Sequence, residues 1–379
     1  MHYADVSNYG DALFPHLVRW QLGQRIPKSK FDFFGPTHDR CSALNSRRFD
    51  RNLPSSSYQA AIMAGGEVIH LGDEGLLAIY EHFGRQSIAK PTDIVFGWSQ
   101  WRSPFKSWIA LGMPPPDQAT LDAVAEASKG LDLISVRGTL SAQQAAKAEL
   151  HCELKVIPDI GWLIPQLAEH DGWALPDTFV SAIRGQPYMV FHALPWWEAL
   201  NEHGEYVVRT LRDIQATGVR VVLLPITDYC SDHAALSWIN ERASGEFLLL
   251  DPSLPHEERA VILSGSQFFL GQSLHGVITT LACGIPAGAI VPSQGHQKFV
   301  EALGDIGLGH LRVETWDQLG ELAIHLQKQD MRMILEKAEE RRGNLAIHFD
   351  ALADRIVKSR RRTRLSSLLG NLFRPCNSR

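Results

Sequence analysis

The sequence predicts an α/β protein made of two Rossmann-like lobes that face a cleft. Three observations lead there. Short apolar runs alternate with segments of helical period through most of the chain. The alternation breaks once, in a stretch rich in Pro, Gly and Asp around residues 164–187, and then restarts. The length of 379 residues fits about two domains.

The first helix is expected over residues 11–25, where Leu13, Leu17, Trp20 and Leu22 recur near the helical period. Residues 58–63 read as a buried strand that stops at Gly65-Gly66. A helix over 76–83 and a strand over 92–97 follow, the latter with Asp93-Ile94-Val95-Phe96 as its body. Then come a helix over 118–129 with Gly130 as its stop, a strand over 131–136, a helix over 139–150 and a strand over 154–157 closed by Pro158. Beyond the linker, strands are expected over 188–192, 219–224, 247–250, 267–270 and 285–291. Helices over 198–217, 234–242, 255–264 and 274–283 separate them. Such alternation implies right-handed βαβ units and parallel sheets. The expected division is an N-terminal lobe over 1–170, a C-terminal lobe over 187–340, and a helix with a basic amphipathic tail over 341–379.

Hydrophobic residues make up 45% and charged residues 21%, which supports a sizeable core and excludes wholesale disorder. The net charge of -5 argues against nucleic acid as a partner. Cys41, Cys152, Cys230, Cys283 and Cys376 are scattered and form no Cys-x-x-Cys pair, so neither a disulfide framework nor a metal site is expected. A reducing compartment fits that usage. The N-terminus lacks a signal-peptide pattern, and no apolar run approaches the roughly 18 residues of a membrane span. The expected location is cytoplasmic.

Ligands in open α/β sheets lie beyond the carboxyl ends of the strands, and that rule selects five loops. In Asn8-Tyr9-Gly10-Asp11, Gly10 permits close backbone approach and Asp11 can cap the helix; a plain N-cap and an anion site are both open. In Ala64-Gly65-Gly66-Glu67 the glycine pair suits a tight turn or a ligand loop. It lacks the full Gly-x-Gly-x-x-Gly fingerprint, so no nicotinamide or flavin cofactor is expected. Arg137 ends a strand, where its fork could hold a carboxylate or phosphate or pair between lobes. Asp159 in Pro158-Asp159-Ile160-Gly161 is a general-base candidate, an arginine partner or a turn residue. In Gly271-Gln272-Ser273-Leu274-His275-Gly276 an apolar strand ends in small polar residues and a histidine enters at a helix start. Ser273 can cap that helix, and His275 can bind an anion or move a proton.

Taken in order, these loops resemble the polysaccharide pyruvyl transferase family. The residues that carry the resemblance are Asn8, Gly10, Asp11, Gly65, Gly66, Val136-Arg137 with Ser141, Pro158-Asp159, and Ser273-Leu274-His275-Gly276 leading to Gly284-Ile285-Pro286. They span residue 8 to about residue 291. The resemblance implies a GT-B-like pair of lobes, the acceptor on the N-terminal side and the donor beside His275. It implies transfer of a pyruvyl group from phosphoenolpyruvate to two hydroxyls of a sugar, giving a cyclic ketal and phosphate, with no cofactor or metal. The acceptor would be a lipid-linked or cell-surface glycan. Arg137 and His275 would contact the donor; His275 would be the acid, and Asp11 or Asp159 the base. Asn8, Gly10, Gly65, Gly66, Ser273, Leu274 and Gly276 would complete the donor loops. Two positions depart from the pattern. Many members have arginine where Ser273 stands, although the Ser-Leu-His form is similar to that of bacterial exopolysaccharide members. A third glycine is common where Glu67 stands.

Two alternatives share the architecture. One is a nucleotide-sugar glycosyltransferase, for which Glu301 or Asp251 would grip the ribose; the other is a non-catalytic glycan-binding relative. Aromatic segments at 98–108 and 196–197 are candidate sugar platforms or core. The cluster Lys358-Ser359-Arg360-Arg361-Arg362-Thr363-Arg364 precedes an apolar stripe of Leu365, Leu368, Leu369, Leu372 and Phe373. That pattern suits peripheral contact with an anionic membrane, a solvated tail or a packed helix.

Overall fold

The computed structural model describes residues 8–35, 46–48, 58–69, 91–97, 103–227, 230–291 and 297–372. Helix α1 (Tyr9–Arg25) opens the chain and is followed by a small parallel pair, β1 (Phe33–Gly35) and β2 (Ser46–Arg48). The N-terminal sheet comprises β3 (Ala61–Ala64), β4 (Lys106–Leu111), β5 (Leu133–Val136) and β6 (Glu153–Val156), parallel and side by side in sequence order. Among the described residues, three helices interleave with these strands: α2 (Pro91–Phe96), α3 (Gln118–Ser128) and α4 (Thr139–Ala145). Strand side chains alternate between faces. Met63, Trp108, Ile134 and Val136 therefore fill one core, while Ala64, Ile109 and Leu133 join a second on the other face.

That second core runs on into the C-terminal lobe. A 3-10 turn (Ile160–Leu163), α5 (Ile164–Asp171) and α6 (Asp177–Ile183) lead into it. Ile160, Leu163, Leu167, Phe179 and Ile183 are buried in the same cluster as Phe191 and Leu223. The following elements are β7 (Tyr188–His192), α7 (Trp197–Ala216), β8 (Arg220–Leu223), α8 (Asp232–Arg242), β9 (Leu248–Leu249) and α9 (His256–Ser264). Then come β10 (Phe269–Gly271), α10 (Leu274–Ala282), β11 (Ala287–Ile290), α11 (Gln297–Gly304), β12 (Arg312–Val313) and α12 (Leu319–Gln327). The six strands are parallel in the order β12-β11-β10-β7-β8-β9. The order reverses between β7 and β10, which makes the carboxyl ends of those strands the topological switch point. Helix α13 (Met331–Leu372) then packs on α10, α1 and the 3-10 turn. The expected α/β class with two parallel Rossmann-like lobes is thus the observed one.

Two expectations change. Residues 92–97 are not a strand; α2 occupies them, with Val95 buried and Phe96 edge-on to Trp108. Pro91 at the first helical position favours this start, and a short apolar run does not distinguish strand from buried helix. The strand is instead β4, inside the aromatic segment. The stretch at 164–187 is a packed helical bridge rather than a free linker. Gly172 (φ 67) and Pro176 delimit α5 and α6, so the punctuation was real but the segments between are helical. The helix expected over 76–83 lies outside the described residues.

No helix among the described residues is long and apolar enough to cross a membrane. Phe191, fully buried on β7 and beside Trp316, sits at the centre of the fold. Phe191→Ala is expected to lower unfolding free energy by about 3–5 kcal/mol. Asp350→Ala, which removes an exposed partner of Arg25, is expected to cost less than about 1 kcal/mol. Urea unfolding of the two variants checks the contrast.

Candidate active site

Helix α10 begins at the switch point. Ser273 caps it as expected, its Oγ accepting from Gly276 N at 3.1 Å. Buried Gln272 ties the two switch-point loops together, because its Oε1 accepts from Leu194 N at 2.7 Å. The first turn of α1 docks on this region. Tyr9 N donates to Ile226 O at 3.3 Å, Asn8 bridges to Thr227, and the Tyr9 hydroxyl shares a hydrogen bond with Thr279 at 2.9 Å. His275 therefore lies against Gly10. A Cβ at position 10 would sit 2.1 Å from His275 Nδ1, so only glycine admits the ring there. Phe14, one turn further along α1, meets the imidazole edge-on at 5.0 Å.

The N-terminal sheet supplies the opposite wall. Arg137 follows β5, and its guanidinium lies over Gly112, where a Cβ would come within 2.7 Å of Nη2. Just before Gly112, strand β4 slips register, and Ala110 takes a left-handed φ of 53. The Ser135 hydroxyl mends this bulge by donating to Trp108 O at 3.1 Å and accepting from Ala110 N at 3.2 Å. Such irregularities often re-aim side chains at sites. Arg137 Nη2 pairs with Glu67 at 3.0 Å, and Nη1 with Asp159 at 3.4 Å. Asp159 Oδ1 accepts from Gly161 N at 2.8 Å. Its Oδ2 stands 3.7 Å from His275 Nε2. That separation is beyond a hydrogen bond, and His275 Nε2 has no hydrogen-bond partner among the described residues.

The carboxyls respond differently to these surroundings. Burial pushes Asp159 up, but His275, Arg137 and the Gly161 amide outweigh it and hold the group below its ordinary value. Asp11, hydrogen-bonded by Asn8 Nδ2 at 2.8 Å, is pushed up by burial to about 6, against the pull of His275, Arg137 and Lys298. Burial likewise raises Glu301 on α11. Glu301 reaches across the lobe junction and accepts from Ser141 N at 2.6 Å and Ser141 Oγ at 3.0 Å. Asp305 accepts from Thr139 N at 3.1 Å and Thr139 Oγ1 at 2.7 Å. Between these groups lies a cavity of about 420 Å³, lined among others by Arg137, Asp159, Trp162, Leu274, Lys298 and Glu301.

Of the residues singled out from sequence, Arg137, Asp159 and Leu274 line the cavity, while Asn8, Gly10, Asp11, Ser273 and His275 gather beside it around the start of α10. Gly65 and Gly66 stand behind the site. Gly65 (φ 63) carries the Phe14 ring, and Gly66 O accepts from Gly112 N at 2.7 Å. Gly276 faces the Phe269 ring rather than the cavity. Trp108 is core, while Trp197 is 43% exposed beyond the carboxyl end of β7. Residues 98–102 lie outside the described residues. The carboxylates considered for ribose binding are both engaged, Glu301 by Ser141 and Asp251 by the Ser253 amide at 2.7 Å. Lys298, Asp305 and the pairing of Glu67 with Arg137 were not anticipated. Among the described residues, no group of three His, Cys, Asp or Glu side chains is placed to hold a metal ion.

The model of the polysaccharide pyruvyl transferase family matches residues 8–294. No curated protein matches the chain. Solved structures similar to it include the α,α-trehalose 6-phosphate synthase of Burkholderia multivorans, at 13% identity and TM-score 0.46 over 83% of this chain and 84% of that one. The corresponding enzyme of Burkholderia vietnamiensis gives 12% identity and TM-score 0.48 over 77% and 81%.

Asp11 gives the site a pH signature. The folded protein holds its proton up to about pH 6, whereas the ordinary value is 3.8. The folded state therefore binds more protons across that window, and this residue's contribution to stability falls as pH rises through it. Asp11→Asn removes the loss. Its melting temperature relative to wild type is expected to climb between pH 4 and 6 and level off above, as thermal unfolding across that range would record.

Proposed function

The chain belongs to the polysaccharide pyruvyl transferase family, and we propose that it moves a pyruvyl group from phosphoenolpyruvate onto a sugar of a lipid-linked or cell-surface glycan. The observation that carries this reading is His275. Its imidazole stands at the switch point, next in sequence to Leu274 of the cavity wall, with Nε2 unpartnered among the described residues and the Asp159 carboxylate 3.7 Å away. An imidazole with an adjacent carboxylate is the arrangement that proton transfer uses.

In the proposed reaction, His275 gives a proton to the methylene carbon of the donor, and the adjacent carbon becomes oxocarbenium-like. A sugar hydroxyl attacks that carbon and passes its proton to Asp11. The second hydroxyl then displaces phosphate, its proton leaving with the phosphate, and the ketal ring closes. The raised value of Asp11 supports its role as base near neutral pH, while the lowered value of Asp159 suits it better to orienting His275. Arg137 walls the donor side. Trp197, exposed near the switch point, is the proposed stacking surface for the acceptor. The basic cluster at 358–364 lies in the last third of α13, and we assign it to the anionic face of a membrane, on the cytoplasmic side, where a lipid-linked acceptor would be met.

Release of phosphate from phosphoenolpyruvate in the presence of a lipid-linked oligosaccharide tests the reaction. His275→Ala is expected to lower kcat by roughly 10²–10⁴-fold, the range of a lost general acid. Wild-type turnover in that variant sinks the assignment, and a thermal shift with nucleotide sugars but none with phosphoenolpyruvate sinks the donor. Removing residues 358–379 is expected to abolish co-sedimentation with anionic liposomes while leaving turnover on a water-soluble acceptor intact.

A further inference from the structure

Four cations line the cavity at the lobe junction: Arg137, Lys155, Lys298 and Arg341. Three are occupied by the protein itself. Arg137 lies between Glu67 and Asp159. Lys155 pairs with Glu153 at 3.4 Å, and Arg341 donates to the Asp305 carbonyl. Lys298 differs. It stands in the first turn of α11, half-buried, with no hydrogen bond or ion pair to any described residue. It lines the cavity together with Leu274, Arg137 and Asp159, and its charge acts on Asp11.

A doubly ionised phosphate entering this cavity meets the carboxylates of Asp159, Glu301 and Asp305 and needs a free cation. Ser273 offers none, and its hydroxyl is spent on capping α10. The Arg137 fork is taken by two carboxylates, although its Nε is unpartnered. We propose that Lys298 is the donor-binding cation of this site and that its ammonium holds the phosphate group of phosphoenolpyruvate. This rests on the donor assigned under the proposed function. Lysine suits the role as a compact point charge with three rotatable donors, whereas a planar fork suits a carboxylate. The cation that the family pattern places on the α10 loop is thus supplied from α11, the next helix along the sheet.

The test titrates phosphoenolpyruvate and inorganic phosphate into the full chain and into Lys298→Met, Lys298→Ala and Lys298→Arg. Methionine keeps the aliphatic stem, and the melting temperature reports whether each variant is folded. Expected are losses of tenfold or more in affinity for both ligands in the Met and Ala variants, partial recovery in the Arg variant, and a rise in KM for the donor that exceeds any fall in kcat. Wild-type affinity for both ligands in a folded Met or Ala variant overturns the proposal. So does loss of phosphoenolpyruvate binding with phosphate binding intact, which would move Lys298 to the carboxylate. If wild type binds phosphate through Lys298 but ignores phosphoenolpyruvate, the donor is wrong and the phosphate cation stands. If wild type binds neither, both fall.

Discussion

The Asp159 carboxylate is where the chemistry of the two lobes meets. One oxygen is fixed by the Gly161 amide; the other faces Arg137 from the N-terminal sheet and His275 from the C-terminal one. Asp159 and Arg137 are both at most 6% exposed, so neither charge can rely on water. A buried charge must be paired, and deleting one partner of such a pair costs about 3–5 kcal/mol. The surrounding irregularities serve this cluster: a bulge in β4, a glycine under Arg137 and a glycine against His275.

Topology explains why the cluster forms where it does. The C-terminal sheet reverses its strand order between β7 and β10, opening a crevice that no strand fills. Helix α1 precedes the N-terminal sheet in sequence, yet its first turn is bonded to the loop after β8 and to Thr279 of α10. The same placement half-buries Asp11 within the field of His275, Arg137 and Lys298. Two carboxyls in one site are thereby pushed in opposite directions, which is the usual means by which proteins divide acid, base and orienting roles.

Much of this was legible in the sequence. Polar residues after an apolar run marked the Ser273 cap and placed His275 at a helix start, because capping is a local rule. The glycines at 10, 65 and 66 were visible as places of close approach, but not what approaches them, since Phe14 and His275 arrive from other elements. Residues 92–97 were misleading because a three-residue apolar run fits strand and helix alike. β4 was hidden by Trp108, whose burial depends on a sheet the local pattern does not reveal. Lys298 and Asp305 carry no local signal at all, and Glu301, considered for ribose binding, carries none for its contact with Ser141. Their importance comes from a helix packed against residues some 160 positions earlier in the chain.

The grip of α11 on α4 has a directional consequence. Glu301 and Asp305 cap the first amides of α4, so that edge of the lobe junction is fastened by hydrogen bonds. The opposite edge is different, because α1 and the 3-10 turn belong to a continuous apolar core whose exposure is expensive. The junction is therefore a seam of two materials, polar where α11 meets α4 and apolar along α1, and Lys298, one turn from Glu301, lies on the polar side.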